Sequence, residues 1–344
     1  MAEKIEFEKN GFDVIRYVAA FNVMLTHYAS YSMIFSGQAI GIMDKLRRTV
    51  ILFHGVVILF ALSGFLVSAS LERAASTKDF LRKRFFRIYP ELWICTLINL
   101  AVICILVPDL LDKGIIVWVV TQIFGIAHTP SCLKGFATGS VNGTLWTIFT
   151  EIQLYILLSF TYRLLKKWKT GYWIAFLAVL AAVNLLCGAV AGNVSGTVNK
   201  LIERLFLPYA LWFFLGVFCF QKKDKLIPVL RIAFCPMLII LIAVNCIPIT
   251  IPGYAANIAI GILLPLIVIG GGYFLPKIRI KCDLTYGMFL YHWIILNIIV
   301  HFDFMNRLPW YVNMLFFIAA TLLVAWFSQR LAQRIRRLFL TKKH

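Results

Sequence analysis

Residues 172–191 read YWIAFLAVLAAVNLLCGAVA and contain no charged side chain. A helix needs about 20 such residues to cross a hydrocarbon layer about 30 Å thick, so this stretch predicts a membrane-spanning helix. The rest of the chain repeats the pattern, because 61% of its 344 residues are hydrophobic and only 14% are charged. A soluble domain is about 25% charged. The sequence therefore predicts an all-α integral membrane protein and excludes a water-soluble fold.

Apolar runs of this kind predict about ten transmembrane helices. In chain order they cover residues 12–35, 50–71, 88–107, 145–165, 172–191, 205–220, 229–247, 255–274, 284–302 and 310–327. A further apolar segment, residues 115–127, is too short for a crossing and indicates a re-entrant or interfacial piece. The loop after it is rich in Gly, Ser and Thr, which is typical of irregular structure. We expect one transmembrane domain over residues 1–344 and no fused soluble domain.

The charge is strongly basic, with 34 Lys and Arg against 15 Asp and Glu. In a soluble chain this balance would indicate nucleic-acid binding. Here the basic clusters separate the apolar runs, as at residues 166–169 and 222–225, and this is the pattern of cytoplasmic loops. The pattern predicts that both termini are cytoplasmic, with a basic cluster at residues 45–48 as the main exception. The expected partners include membrane lipids and exclude nucleic acid.

Neither a metal site nor a bound cofactor is expected. Most of the eight cysteines lie inside apolar runs, and no CxxC pair or paired spacing with histidine occurs. The cysteines therefore predict neither a disulfide framework nor a zinc site.

A few titratable residues fall inside the predicted spans, where a charge costs about 2.5 to 3.5 kcal/mol at the helix centre. Arg16 and His27 share the first helix, and their spacing places them on nearly the same face. Glu151 lies in the fourth helix, below the interface anchor Trp146. A neutral imidazole near a carboxylate makes a candidate general base. Two simpler explanations stay open: a hydrogen-bonded structural histidine, and an ion pair that includes Glu151.

Three other groups of residues are candidates. Arg84 and Arg87 are three residues apart and would share a helix face that grips phosphates, although anionic lipid headgroups would also explain them. Ser63 stands beside a glycine in the second span, where small residues usually serve helix packing. The ninth span carries three polar residues that suit either interhelical hydrogen bonds or a substrate cavity: Tyr286, Tyr291 and His292.

Five segments in order resemble the membrane-bound acyltransferase-3 family, bacterial enzymes that O-acylate glycans. They are FDVIRYVAAFNVMLTHY, FALSGFLVS, RFFRIYP, LWTIFTEIQLY and YGMFLYHW. The first resembles a family motif in which an arginine or lysine precedes a histidine with ten residues between them, here Arg16 and His27. Each segment alone is weakly specific, but the ordered set is specific. Leu154 departs from the family pattern, in which an aromatic residue is common there.

The resemblance implies roles for the matching positions. His27 would be the base that deprotonates an acceptor hydroxyl, with Glu151 as a second catalytic residue. Arg84 and Arg87 would contact acyl-CoA, and Arg16 would lie on the donor path. A substrate cavity would include Ser63, Trp146, Tyr155, Tyr286, Tyr291 and His292.

The resemblance also implies the reaction and its setting. The donor would be acetyl-CoA or another acyl-CoA, and the acceptor a cell-surface polysaccharide or a lipid-linked precursor. The enzyme would be a multi-pass protein of the bacterial cytoplasmic membrane, with a second copy of the chain or glycan-processing enzymes as further partners. The alternatives are a secondary transporter or glycolipid flippase, in which buried His, Glu and Arg mark a pathway, and a non-catalytic scaffold.

Overall fold

The computed structural model describes residues 7, 10–110, 112–246, 250–278, 280 and 282–340. The regular elements among these residues are all helical, which confirms the all-α prediction. In chain order the α-helices are α1 (Phe12–Phe35), α2 (Ile40–Ile51), α3 (Gly55–Glu72), α4 (Thr77–Leu106), α5 (Gly114–Ile123), α6 (Leu145–Leu165), α7 (Thr170–Ala191), α8 (Gly196–Arg204), α9 (Ala210–Gln221), α10 (Lys223–Ile232), α11 (Phe234–Cys246), α12 (Ile258–Phe274), α13 (Thr285–His301), α14 (Phe304–Arg307) and α15 (Trp310–Leu340).

The predicted spans match several helices closely and miss the ends of others. Helices α1 and α6 begin and end at the predicted residues. Helix α4 begins at Thr77, well before the predicted start at residue 88, and α15 continues to Leu340. The length of an apolar run predicts only the part of a helix that lies in the hydrocarbon layer. Lys and Arg are good helix formers, so a helix can continue beyond that layer through basic residues. Residue 247, the predicted end of the seventh span, lies outside the described residues.

Length and apolarity support a multi-pass membrane protein. Among the described residues, five helical stretches suffice to cross a bilayer, or up to seven if two bent helix pairs each form one span. Helix α5 has only 10 residues, in agreement with the expectation that residues 115–127 contain no crossing helix. The count of ten spans and the cytoplasmic position of both termini stay predictions.

Two bent helix pairs lie near the sixth and seventh predicted spans: the sixth, residues 205–220, begins at the first bend, and the seventh, residues 229–247, contains the second. Helices α8 and α9 meet at 55°, and α10 and α11 meet at 67°. The Gln153 side chain caps the first break, because its Nε2 donates to Arg204 O at 2.8 Å and its Oε1 accepts from Phe206 N at 3.2 Å. Near the second break, Pro236 has no N–H to donate to Ile232, the residue four positions earlier.

The chain forms two compact units, and the first comprises the described residues within Met1–Ala19, Leu52–Leu81 and Thr150–Lys281. In this unit α3 and α9 cross closely. A Cβ atom on Gly64 would come within 1.9 Å of Phe213 O, and one on Gly216 would come within 2.1 Å of Ala61 O. Only residues without a side chain allow the two backbones to approach this closely.

The second unit comprises the described residues within Ala20–Ile51, Arg82–Phe149 and Cys282–His344. Here the loop between α5 and α6 packs on α4 and α5 through a buried apolar cluster: Ile103, Trp118, Leu133, Phe136 and Val141. The basic cluster at residues 45–48 lies on α2, where Asp44 pairs with Arg48 at 2.7 Å and with Arg47 at 3.6 Å. These ion pairs partly neutralise the positive charge at residues 45–48, which the predicted topology places outside the cytoplasm.

Candidate functional site

His27, on α1, contacts two consecutive residues of α13 in the second unit. Its ring centroid lies 5.2 Å from that of His292 and 4.7 Å from that of Trp293, and each pair is nearly perpendicular. The His27 side chain is partly accessible, whereas His292 is fully buried. The structure therefore brings together His27 and His292, two of the residues selected from the sequence.

The hydrogen bonding of the two histidines is incomplete. His292 Nδ1 lies 2.9 Å from the Met288 carbonyl oxygen, one helical turn earlier. In the part of the chain that the structure describes, His27 Nδ1 and His292 Nε2 are buried without a hydrogen-bond partner. Buried polar atoms are rarely left unpaired, so each exception needs an explanation, and a catalytic role is one of them. The simpler explanation, a structural histidine bonded to a neighbour, describes His292 but not His27.

The loop that precedes α6 is hydrogen-bonded to α13 beside the His27 and His292 rings. Trp293 Nε1 donates to Thr138 Oγ1 at 3.1 Å and to Ser140 O at 3.0 Å. Asn297 Nδ2 donates to Ser140 O at 2.8 Å, and its Oδ1 accepts from Thr138 Oγ1 at 2.7 Å. The irregular loop predicted from the sequence therefore has a fixed conformation next to the histidine pair.

Glu151, Ser63 and Tyr155 form a second cluster, in the first unit. Ser63 Oγ donates to Glu151 Oε1 at 2.6 Å and lies 2.9 Å from Tyr155 OH, and the Tyr155 hydroxyl donates to the same carboxylate oxygen. The sequence suggested an ion pair as one explanation of Glu151. Over the described residues the carboxylate has hydroxyl partners and no ion pair, so that explanation is wrong for this part of the chain.

Arg16 and Trp146 are also placed by the structure. Arg16 is largely buried and lies 3.8 Å from Asp13, one turn earlier on α1. Trp146 is the second residue of α6 and is partly buried. Neither position tests the role expected from the sequence.

Arg84 and Arg87 lie on α4, because that helix begins early enough to include both. Residues three apart on a helix are neighbours on its surface, so the condition for a shared phosphate-binding face is met. Arg87 is half-exposed and lies 3.6 Å from Asp283.

Two residues of this region were not selected from the sequence. Glu91 is 2% exposed, and its Oε2 lies 4.0 Å from Arg336 Nη2. Arg336 also donates to Arg87 O. The sequence feature that could have indicated Glu91 is its position directly after Pro90, in the same helix as Arg84 and Arg87.

The two α13 tyrosines of the predicted cavity, Tyr286 and Tyr291, are engaged in helix contacts. Tyr286 OH donates to Ile88 O at 3.2 Å, and Tyr291 OH lies 2.5 Å from Ser328 Oγ in a fully buried position. These are the interhelical hydrogen bonds that the sequence left open as one explanation. Among the described residues, no group of His, Cys, Asp or Glu could hold a metal ion.

Comparison with known proteins decides the family. The acyltransferase-3 family, described as an acyltransferase domain, matches residues 9–330. The chain belongs to the acyltransferase-3 family. Its relatives include Nodulation protein 10 of Rhizobium leguminosarum bv. viciae, which is 27% identical over 325 residues, 85% of this chain and 84% of that protein.

Two shorter similarities agree with this assignment. An O-acetyl transferase of Shigella phage Sf6 is 28% identical over 192 residues, 54% of this acyltransferase and 55% of that protein. Acyltransferase MdmB of Streptomyces mycarofaciens is 30% identical over 158 residues, 44% of this chain and 39% of that protein. No solved structure matches the chain. The family and the apolar helices together identify a multi-pass membrane acyltransferase.

Proposed function

We propose that this acyltransferase moves an acyl group, expected to be acetyl, from acyl-CoA to a hydroxyl of a glycan. The observation that carries the proposal is His27, a partly accessible imidazole on α1, bracketed by His292 and Trp293. The names of two relatives, an O-acetyl transferase and an acyltransferase, support the reaction class.

The proposed chemistry needs a base because a sugar hydroxyl is a weak nucleophile near neutral pH. His27 accepts the hydroxyl proton while the oxygen forms a bond to the thioester carbon, and the carbon–sulfur bond then breaks. The departing CoA thiolate takes up the proton from His27. A positioned base of this kind contributes about 10² to 10⁴-fold to the rate.

The donor would bind through the arginines of α4. Arg84 and Arg87 present two guanidinium groups from one helix face, and guanidinium binds phosphate oxygens in a bidentate manner. The Arg87 side chain is half-exposed, so a phosphate would have to compete with Asp283 for its guanidinium group. Arg16, on the helix that carries His27, would line the path of the pantetheine arm.

The proposed acceptor is a cell-surface polysaccharide or a lipid-linked glycan precursor, and the proposed location is the bacterial cytoplasmic membrane. Such acceptors are presented at or within a bilayer. A base on a helix that spans the bilayer could therefore reach their hydroxyl groups. A second copy of the chain, or enzymes that process the same glycan, are the proposed protein partners.

The test is acyl transfer by the purified protein in detergent, with radiolabelled acetyl-CoA and a crude glycan fraction of the host. We expect label in the glycan with wild type and none with His27→Ala. His301→Ala is the matched control, because His301 is an exposed histidine at the end of α13. No transfer by wild type with a range of acyl donors and acceptors would reject the proposal.

A transporter or flippase is the second candidate, since the two bent helix pairs resemble the broken helices of transporters. The three consecutive glycines at residues 270–272 add no further break, because α12 is continuous there. The bent pairs follow each other directly along the chain and do not occupy corresponding positions of two halves. Uptake of glycolipid by sealed vesicles without acyl transfer would favour this candidate.

A further inference from the structure

His292 has a fixed tautomer. Its Nδ1 lies 2.9 Å from the Met288 carbonyl oxygen, which can only accept, so Nδ1 carries the proton. The Nε2 atom of the neutral ring is then an acceptor. Nε2 is buried and has no hydrogen-bond partner among the described residues. His292 therefore presents an unused acceptor next to His27.

His27 presents the complementary group. A neutral imidazole that accepts a proton at Nε2 must carry its own proton on Nδ1. In His27 this Nδ1 atom is buried and, within the described ranges, also lacks a partner. The fully buried α13 face that His27 contacts offers the lone pair of His292 Nε2.

We propose that His292 is the positioning residue of the catalytic histidine, and that its Nε2 accepts the hydrogen bond from His27 Nδ1–H in the active complex. This inference rests on the proposed function, in which His27 is the base. The ring centroids are 5.2 Å apart, about the separation of two imidazoles joined by a nitrogen–nitrogen hydrogen bond of about 3 Å. Because the outer torsion of a histidine side chain is soft, rotation of the His27 ring can align the two nitrogens.

The pairing explains how His27, whose Nδ1 has no carboxylate partner among the described residues, can act as a base. The hydrogen bond fixes the His27 tautomer, so that Nε2 faces the acceptor hydroxyl with a free lone pair. When His27 takes the hydroxyl proton at Nε2, its Nδ1 proton stays in place and the neutral His292 ring stabilises the imidazolium. His292 cannot exchange roles with His27, because its own Nδ1 proton is held by Met288 O.

Two substitutions separate this role from packing. In His292→Gln the side-chain amide reaches the former Nε2 position and offers an acceptor oxygen. In His292→Asn the shorter amide reaches only the former Nδ1 position, so it keeps the Met288 contact and loses the acceptor. We expect kcat to fall at least about tenfold in His292→Asn, a part of the factor that a positioned base supplies. We expect His292→Gln to recover most of this loss and KM for acetyl-CoA to stay within about twofold in both.

A measurement on the wild-type protein does not depend on the folding of variants. The ring nitrogens of His27 are observed by ¹⁵N NMR in the presence of CoA and the glycan fraction, and they are assigned by their absence in His27→Ala. We expect a protonated, hydrogen-bonded Nδ1 and an unprotonated Nε2. The opposite tautomer would overturn the inference.

The outcomes also separate this inference from the proposed function. If His27→Ala keeps wild-type activity, the proposed function itself fails. If His27→Ala is inactive while His292→Asn has the kcat of wild type, only the role of His292 is refuted. Equal losses in the Asn and Gln variants would likewise refute it, because they would show that His292 acts by packing.

Discussion

Ser63 Oγ on α3 donates a 2.6 Å hydrogen bond to Oε1 of Glu151 on α6, and this bond joins two helices of the first unit. Tyr155, one turn further along α6, donates to the same oxygen. Near the other end of the two helices, Lys166 pairs with Glu72 at 2.8 Å. The earlier of the two α3 residues contacts the earlier residue of the α6 segment, and the later contacts the later, so α3 and α6 run in the same direction. The carboxylate therefore has a defined place in the fold, whatever its part in catalysis.

A double-mutant cycle will measure the bond between Ser63 and Glu151. We expect Ser63→Ala and Glu151→Gln to lower the free energy of unfolding by about 1 to 3 kcal/mol each, because hydrogen bonds to carboxylates are strong. The coupling energy should exceed about 0.5 kcal/mol, since residues in one network are not additive. The measurement is denaturant unfolding in mixed micelles, with Ser70→Ala, a partly buried serine of the same helix, as the control. Additive effects would show that the two side chains act independently.

The crossing of α3 and α9 should not tolerate a methyl group. Gly64→Ala and Gly216→Ala would each place a Cβ atom against a backbone oxygen of the other helix. Overpacking costs about 1 to 3 kcal/mol where side chains can move, and backbone atoms move less easily, so we expect at least this loss. Gly171→Ala is the control, because its Cβ would meet nothing within 4 Å. Thermal unfolding in detergent that ranks the three variants equally would contradict the packing explanation.

The sequence predicts those features that depend on a local apolar run. Helices α1 and α6 have the predicted ends because apolar side chains fill them, and α5 is short because its run is short. The α8–α9 break depends on Gln153, which is distant in the chain, and apolar length alone cannot reveal it.

The same distinction applies to the site. His27, Glu151, Arg84 and Arg87 stand out as charged or titratable residues at unusual positions. The contact of His27 with His292 is a long-range relation that one sequence does not contain. Glu91 lies just beyond a basic cluster, at the predicted edge of the membrane, where a carboxylate is not unusual.

The Glu91–Arg336 pair should respond unequally to its two deletions. Glu91 is almost fully buried, whereas the Arg336 side chain is 28% exposed. Removing the cation leaves a buried carboxylate unpaired, a change that costs about 3 to 5 kcal/mol in such pairs. We therefore expect Arg336→Met to destabilise the protein more than Glu91→Gln does, and the double variant to recover part of the loss. Thermal unfolding of the three variants is the measurement, and equal losses from both single variants would argue against a buried pair.

The predicted topology can be tested with two epitope tags. An insertion after Lys134 should be reached by antibody from outside the cytoplasmic membrane, because the loop that contains it follows the third predicted span. An insertion after Lys222 should be protected until the membrane is opened. A protected tag at Lys134 would show that residues 115–127 cross the membrane and would invert the downstream topology.

The loop beside the histidine pair should loosen when Trp293 loses its indole nitrogen. Trp293→Phe keeps an aromatic ring against His27 but removes the donor to Thr138 and to the Ser140 carbonyl. Asn297 continues to hold the same loop, so we expect local opening and not unfolding. Hydrogen–deuterium exchange should become faster at residues 137–143 and stay unchanged in α15.

Trp326→Phe, on the exposed face of α15, is the control and should leave the loop unaffected. If acyl transfer also falls in Trp293→Phe while acetyl-CoA still binds, the hydrogen bonds of the Trp293 indole support a step after donor binding. Unchanged exchange at residues 137–143 would mean that Asn297 alone fastens the loop.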